Sequence, residues 1–254
     1  MAEILPPGTP IWVDLGSPDV EASRRYHAEL FGWTSDEPNE EFGGYTMFWN
    51  NGKMVAGLGP LMSPGQPPAW STYVHVTDAD ATAARAKAAG GQVIVEPMDV
   101  GDTGRFAVLM DPTGAAIGLW QPKQHTGAQQ FNSPVSLSWN ELTTRDPERA
   151  KSFYRDVFGW DPHTSGEAGQ EYTEFKLNGE SVAGMMRTPE QVPAEVPPYW
   201  LPYFAVADCA ATVEKNKQLG GQVMMPAMDI PQGTFAVLTD PNGAAFAVIQ
   251  LKRG

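Results

Sequence analysis

The stretch Trp12-Val13-Asp14-Leu15 decides the fold, because it returns later in the chain as Trp139-Asn140-Glu141-Leu142. Each copy leads into a predicted helix that ends on the same tripeptide, Phe31-Gly32-Trp33 in the first copy and Phe158-Gly159-Trp160 in the second. Glycine at that position supplies the left-handed conformation on which many helices end. In a strand, alternate side chains share one face. Each copy is therefore predicted to place one tryptophan beside one carboxylate.

The rest of the chain follows the same repeat at a shift of 127 to 130 residues. Gly-Gly-Gln-Val occurs at 90–93 and 220–223, and each copy closes on an Asp-Pro turn, at 111–114 and 240–243. An Asn-Gly pair, a strong hairpin signal, separates two predicted strands in each copy. A constant shift of this kind indicates a tandem duplication. We expect a first module at 1–121, a linker at 122–134 and a second module at 135–254.

Two local predictions concern the first copy. Ser17 is a good N-cap and Pro18 suits the first helical position, so a helix is expected to begin there. A short strand is expected at 93–96, after the Gly-Gly pair that ends an alanine-rich helix. The order of elements in each copy is thus strand, helix, hairpin, strand, helix, strand and a final hairpin.

Charge and composition exclude several classes of partner. The 254 residues have a formal net charge of -13 at pH 7, and the acidic residues are scattered along the chain. A field of that sign repels phosphate backbones and anionic lipid surfaces, so we expect no nucleic-acid partner and no membrane partner. The chain contains no signal-peptide pattern and no run of about 18 apolar residues. With Cys209 as the single cysteine, no internal disulfide can form, and we expect a cytoplasmic protein.

The repeated pattern, with its aromatic helix ends and an Asp-Pro-x-Gly corner in each copy, resembles the vicinal oxygen chelate superfamily. That superfamily includes glyoxalase I, extradiol dioxygenases and bleomycin-binding proteins. More narrowly, the chain is similar to the two-module glyoxalase-like proteins of actinobacteria that are described as hydroxylases or antigens. The resemblance covers the chain from Pro10 to Gln250. It implies an α+β fold in which tandem βαβββ modules form curved-sheet cups, but it does not specify an activity.

Metal-binding members of that superfamily take ligands from the first strand, from the strand after the middle loop and from the last strand. The resemblance carries these positions onto Trp12, Ser71 and Gly118 in the first module, and onto Trp139, Leu201 and Ala247 in the second. Tryptophan, glycine, leucine and alanine side chains cannot ligate a divalent ion, and one serine is a poor site by itself. We therefore expect no metal and no cofactor.

The side chains that should point into the cups are acidic, aromatic and imidazole groups. Asp14 with His75 is the pair best suited to chemistry, because a carboxylate can orient an imidazole for general-base work. Glu141 is the acid of the second module and completes the candidate catalytic set. Each of the three also has a purely structural interpretation, in which it only hydrogen-bonds its neighbours. The candidate ligand-binding residues are Trp12, Trp49, Ser71, Tyr73, Trp120, Trp139 and Tyr203, with Trp70 and Trp200 as further aromatic residues of the lining.

Several functions remain open at this stage. An aromatic lining suits a flat, apolar small molecule, which favours a metal-independent small-molecule-binding protein for an aromatic or natural-product-like ligand. One alternative is a metal-free isomerase, cyclase or lyase acting on a secondary metabolite. A metal-dependent glyoxalase or dioxygenase is disfavoured by the missing ligands. The aromatic side chains could also fill the cups and close them. We expect a monomer or a homodimer.

Overall fold

The computed structural model describes residues 4–63, 65–167, 169 and 171–252. The outermost residues of the two predicted modules, at 1–3 and 253–254, lie outside these described residues. Both repeats have the same order of elements, a strand, a helix and three strands, and each repeat contains this βαβββ motif twice. The α+β fold with tandem βαβββ modules, expected from the resemblance, is confirmed.

The elements of the first repeat are β1 (Pro10–Ser17), α1 (Val20–Phe31), β2 (Thr34–Ser35), β3 (Thr46–Asn50), β4 (Lys53–Pro60), β5 (Ala69–His75), α2 (Ala79–Ala88), β6 (Gln92–Val100), β7 (Gly104–Met110) and β8 (Ala116–Pro122), with a 3-10 turn at Glu40–Phe42. Those of the second repeat are β9 (Ser136–Thr144), α3 (Pro147–Phe158), β10 (Asp161–Ser165), β11 (Tyr172–Leu177), β12 (Glu180–Arg187), β13 (Tyr199–Ala205), α4 (Cys209–Gln218), β14 (Gln222–Ile230), β15 (Gly233–Thr239) and β16 (Ala245–Leu251). None of the described helices is both long and apolar enough to span a membrane.

Each repeat forms one eight-stranded mixed sheet. The strand order is β2-β3-β4-β1-β5-β8-β7-β6 in the first and β10-β11-β12-β9-β13-β16-β15-β14 in the second, so the two sheets have the same topology. The first strand of each repeat runs parallel to the fourth, and this pairing aligns Asp14 with Gly57 and Glu141 with Gly184. Each predicted acid therefore lies directly beside a glycine on the neighbouring strand.

The chain divides into two compact units, each of which combines segments of both repeats. The α2/α3 unit contains the residues up to Ile11 together with Thr72–Gly127 and Trp139–Leu201, and the α1/α4 unit contains Trp12–Ser71, Ala128–Ser138 and the residues from Pro202 onwards. In each unit an apolar core forms between helices and the sheet strands that belong to the same unit.

The aromatic helix ends have the same role in both units. Gly32 (φ 75°) and Gly159 (φ 74°) adopt the left-handed conformation and end their helices. The tryptophan that follows each glycine is buried. The indole Nε1 of Trp33 donates to the carbonyl of Val135 at 2.8 Å, and that of Trp160 donates to the carbonyl of Gly8 at 2.6 Å.

Two local predictions about the first repeat are wrong. Helix α1 is capped by Asp19, whose carboxylate accepts from the backbone N–H of Ala22 at 2.8 Å. Ser17 lies two residues before the cap, and its hydroxyl is 2.8 Å from that of Ser23. The strand expected at 93–96 continues to Val100. It runs through Pro97 because β6 lies at the edge of its sheet, where a missing N–H donor is tolerated. Its pairing with β7 shifts register between Val95 and Met98, the interval that contains this proline.

Candidate functional site

Trp12 and Asp14 meet a third side chain, Tyr45, within the α1/α4 unit. The indole Nε1 of Trp12 donates to the phenol oxygen of Tyr45 at 3.1 Å, and the phenol donates to Oδ2 of Asp14 at 3.2 Å. The placement of Trp12 beside Asp14 on one face of β1, expected from strand alternation, is thus observed. We call Trp12, Asp14 and Tyr45 the first Trp-Tyr-acid cluster.

The first cluster needs a glycine on the neighbouring strand. A Cβ atom added at Gly57 would lie 1.8 Å from the phenol oxygen of Tyr45, and one added at Gly59 would lie 2.9 Å from its ring. Alternate residues of a strand share a face, so the tyrosine ring lies across the side of β4 on which neither glycine has a side chain. The missing methyl groups leave the space in which the phenol reaches Asp14.

The α2/α3 unit contains the second Trp-Tyr-acid cluster, formed by Trp139, Glu141 and Tyr172. The indole Nε1 of Trp139 donates to the phenol oxygen of Tyr172 at 2.9 Å, and the phenol is hydrogen-bonded to the carboxylate of Glu141. A Cβ atom added at Gly184 would lie 1.9 Å from that phenol oxygen. Each residue of this cluster, and its glycine, lies 127 positions after its counterpart in the first.

Burial and charge hold the proton on the phenol of the second cluster. Burial is the largest cause that raises the pKa of Tyr172 above its ordinary value, and the negative charge of Glu141 adds to it. Glu141 itself is only 7% exposed. A protonated phenol can donate only one hydrogen bond, and this one goes to the carboxylate. The arrangement is therefore a hydrogen-bond chain that runs from indole to phenol to acid.

Tyr45, Tyr172 and the two glycines were missed by the sequence-based prediction. The chain positions of Tyr45 and Asp14 differ by 31 residues, so no local pattern connects them. A comparison of the two repeats could have identified these residues, because the tyrosine and the glycine recur at the same shift of 127 residues as the tryptophan and the acid.

His75, the proposed partner of Asp14, has a backbone contact within the α2/α3 unit. Its Nδ1 lies 2.7 Å from the carbonyl oxygen of Leu5, which places the proton on Nδ1 in the neutral ring. The side chain is half-buried at the end of β5. This hydrogen bond is the kind of structural role considered for His75, and a catalytic role stays a prediction.

The other candidate ligand-binding residues have different surroundings. Trp49 is half-buried and donates to Oδ2 of Asp36 at 2.8 Å. Trp120 is buried, donates to the carbonyl of His125 at 2.7 Å and lies against Gly104. Ser71 is half-buried on β5.

Tyr73 and Tyr203 occupy equivalent positions in the two sheets. Both are buried, and their strands pair with the last strand of the repeat, Tyr73 opposite Gly118 and Tyr203 opposite Ala247. The Tyr203 ring centroid lies 5.8 Å from that of Phe235. The roles of these tyrosines in ligand binding stay predictions.

Trp70 and Trp200 belong to the cores of their units. Trp70 is 5% exposed and its ring centroid lies 5.1 Å from that of Phe204 in the α1/α4 core. Trp200 is 4% exposed and its Nε1 donates to the phenol oxygen of Tyr154 at 2.9 Å in the α2/α3 core. Both side chains are part of the buried apolar cores, so the expectation that they line a ligand site is corrected.

The residues at the superfamily's metal-ligand positions do not form a donor set. A Cβ atom at Gly118 would lie 2.2 Å from the ring of Tyr73, so any ligating side chain there would require the ring to move. Within residues 4–63, 65–167, 169 and 171–252, no group of three or more His, Cys, Asp or Glu side chains could hold a metal ion. The side chains at these positions do not fit a bound divalent ion.

Tandem βαβββ modules in two equivalent mixed sheets define the protein as a two-module glyoxalase-like protein. The model of the Glyoxalase/Bleomycin resistance protein/Dioxygenase superfamily matches residues 10–119 and 136–248, and the chain belongs to this superfamily.

Relatives and solved structures agree with this assignment. The chain is 44% identical to "Putative glyoxylase CFP32" of Mycobacterium tuberculosis, over 96% of this chain and 95% of the relative. It is 40% identical to the anthracycline biosynthesis protein DnrV of Streptomyces peucetius, over 98% of this chain and 95% of that relative. The fold is similar to that of the 2,3-dioxygenase LapB from Pseudomonas sp. KL28, with a TM-score of 0.68, 12% identity and coverage of 99% and 94%. The fold is also similar to that of the Mn(II)-bound glyoxalase from Novosphingobium aromaticivorans, with a TM-score of 0.66 and 16% identity. This match covers 97% of this chain and 83% of that protein.

Proposed function

We propose that the chain is a metal-independent small-molecule-binding protein whose two Trp-Tyr-acid clusters bind polar groups of an aromatic, natural-product-like ligand. The observation that carries the proposal is the occurrence of the same indole-phenol-carboxylate chain in both repeats. The proposal places it in the cytoplasm, as a monomer or a homodimer.

The chemistry of the clusters suits a ligand with a hydroxyl or amino group. A carboxylate only accepts hydrogen bonds and has about four lone-pair sites, so Asp14 and Glu141 can each accept from a ligand as well as from a tyrosine. The phenol and indole hold each carboxylate in one orientation before a ligand arrives, which reduces the entropy lost on binding. The rings of Tyr45, Trp139 and Tyr172 are only half-buried and offer flat aromatic surface beside the acid.

The absence of a fitting donor set supports independence from metal. The superfamily's ligand positions have no carboxylate or imidazole group in this chain, because positions 12 and 139 are tryptophan and the ring of Tyr73 covers Gly118. The similarity to a protein named for anthracycline biosynthesis supports a flat polycyclic ligand, because an anthracycline is such a molecule. The first ligand to test is therefore an anthracycline.

The test is a titration followed by tryptophan fluorescence in the presence of a metal chelator. We expect saturable quenching by an anthracycline in the wild-type protein, unchanged by the chelator. The double variant Asp14→Asn, Glu141→Gln is expected to bind at least tenfold more weakly. Asp161→Asn is the matched control, because Asp161 is exposed and contacts His163 outside either cluster. Saturable binding that requires added divalent metal, or equal affinity in all variants, would refute the proposal.

A second candidate is a metal-free isomerase, cyclase or lyase in which a cluster carboxylate moves a proton. The raised pKa of Tyr172 favours this role for the acid, since the phenol keeps its proton and the carboxylate remains the basic group of the cluster. The two candidates differ in turnover. If the wild type converts the bound compound and Glu141→Gln still binds it but no longer converts it, the protein is an enzyme. If the wild type binds the compound without converting it, the protein is a binding protein.

A further inference from the structure

A separate cavity of about 490 Å³ lies in the second repeat, beyond the end of β12 in the α2/α3 unit. It is formed by two arginines, one threonine and the proline-rich loop that leads towards β13. Its lining includes Arg145, Arg187, Thr188 and the loop residues from Pro189 to Ala194. None of these residues belongs to either Trp-Tyr-acid cluster.

Arg145 holds the loop in place through backbone carbonyl groups. Its guanidinium donates to the carbonyl oxygens of Val196 at 2.6 Å, Pro193 at 2.7 Å and Val192 at 3.4 Å. Arg187 then donates through Nη1 to the backbone carbonyl of Arg145 at 2.9 Å. These contacts bring two guanidinium groups to the wall of one cavity.

The positive charge at this wall has no acidic partner. In the part of the chain that the structure describes, neither guanidinium forms an ion pair, although ion pairs occur elsewhere on the surface. Among the described residues of the lining, Glu190 is the single carboxylate, and it is exposed on the loop. The cavity wall therefore has a net positive charge, within a protein of strongly negative overall charge.

Thr188 adds a buried hydroxyl to the two guanidiniums. Its side chain is 8% exposed, and its Oγ1 has no hydrogen-bond partner among the described residues. Its backbone N–H donates to the carbonyl of Thr144 at 2.8 Å, which keeps Thr188 in line with β12. Thr188 lines the same cavity as the two arginines, and a hydroxyl without an acceptor in the described part of the chain can donate to an oxyanion that the guanidiniums also bind. The geometry points to a binding site for the carboxylate or phosphate group of a small molecule.

The first repeat shows that the fold does not require these groups. The residues 127 positions before Arg145, Arg187 and Thr188 are Pro18, Pro60 and Leu61. The first repeat forms the same sheet topology without a guanidinium or a hydroxyl at these places. The sheet topology therefore does not depend on the two arginines and the threonine, which position the loop of the second repeat and line its cavity.

The experiment is isothermal titration calorimetry with inorganic phosphate and, separately, with acetate, at constant ionic strength. We expect saturable binding of one anion per chain for at least one of the two, and which anion binds distinguishes a phosphate site from a carboxylate site. Arg187→Met is expected to weaken binding at least tenfold. Thr188→Val keeps the side-chain shape and is expected to weaken it several-fold.

Arg155→Met is the matched control, because Arg155 is an exposed arginine of the same repeat outside the cavity. The variants Asp14→Asn and Glu141→Gln should bind the anion as the wild type does, which separates this site from the proposed ligand clusters. Thr188→Val keeps the test informative if Arg187→Met does not fold. Absence of saturable heat with both anions, or affinity unchanged in Arg187→Met and Thr188→Val, would overturn the assignment.

Discussion

Replacing Tyr154 by phenylalanine tests how the buried polar chain stabilises the α2/α3 unit. Tyr154 is fully buried on α3, and its phenol donates to Oδ2 of Asp111 at 2.7 Å while it accepts from Nε1 of Trp200 at 2.9 Å. Oδ1 of Asp111 is used separately, by the backbone N–H groups of the turn that follows it. Phenylalanine keeps the ring and removes both hydrogen bonds.

The expected loss follows from the two bonds and the atoms left behind. A hydrogen bond to a charged group contributes about 1.5–3 kcal/mol, and a neutral one contributes about 1 kcal/mol. Asp111 is 3% exposed, so water cannot easily replace the phenol at its carboxylate oxygen. We expect the free energy of unfolding of Tyr154→Phe to fall by about 2.5–4 kcal/mol.

Urea unfolding followed by circular dichroism measures this change. Tyr26→Phe is the matched control, because Tyr26 is also buried and donates to the neutral side-chain amide oxygen of Asn216; its loss should be about 1 kcal/mol. Trp200→Phe removes the indole N–H that Tyr154→Phe would leave without an acceptor. Tyr154→Phe should therefore destabilise the Trp200→Phe variant by less than it destabilises the wild type. Equal losses for Tyr154→Phe and Tyr26→Phe would refute the role given to the charged partner.

Two further predictions concern the α1/α4 unit. Burial lowers the pKa of His27 from 6.5 to about 4, so the unfolded chain binds a proton first as the pH falls. The free energy of unfolding should therefore fall by about 3 kcal/mol as the pH is lowered from about 6.5 to about 4. Urea unfolding across that range measures the change, and the variant His27→Gln should show a smaller loss. Gly57→Ala should displace Tyr45 and weaken ligand binding. Gly16→Ala is the control and should bind as the wild type does, because its methyl group meets only ordinary contacts at 3.7 Å. Equal affinities of the two variants would contradict the proposed packing.

The hairpin turns depend on local backbone chemistry and could be predicted from the sequence. The Asn-Gly pairs give hairpin turns in which both residues have positive φ, 50° and 74° at Asn51-Gly52 and 53° and 89° at Asn178-Gly179. This conformation is the one that type I′ turns require and that asparagine and glycine tolerate. The duplication was equally visible, because a shift near 127 residues repeats whole motifs.

Features that depend on neighbours distant in the chain could not be predicted from local patterns. The short strand Thr34–Ser35 has little sequence signature, and it exists because β3 offers it an antiparallel partner. The difference between the lining of the sheet and the core was also invisible at Trp70, because an aromatic residue in a strand suits either face. Only the observed packing against Phe204 assigns it to the core.

The two repeats differ at one polar position of their cores, and this contrast bears on the clusters. Tyr154 in the second repeat corresponds to His27 in the first, where Nδ1 contacts the carbonyl of Ser23 at 2.9 Å and Nε2 has no partner among the described residues. This core position has thus diverged between the repeats. The indole, phenol, acid and glycine of the clusters have kept their residue classes, although a glycine within a strand weakens it. Buried core residues such as Trp33 and Trp160 recur as well, so the ligand affinity of Gly57→Ala, rather than recurrence, distinguishes a role in binding from a role in packing.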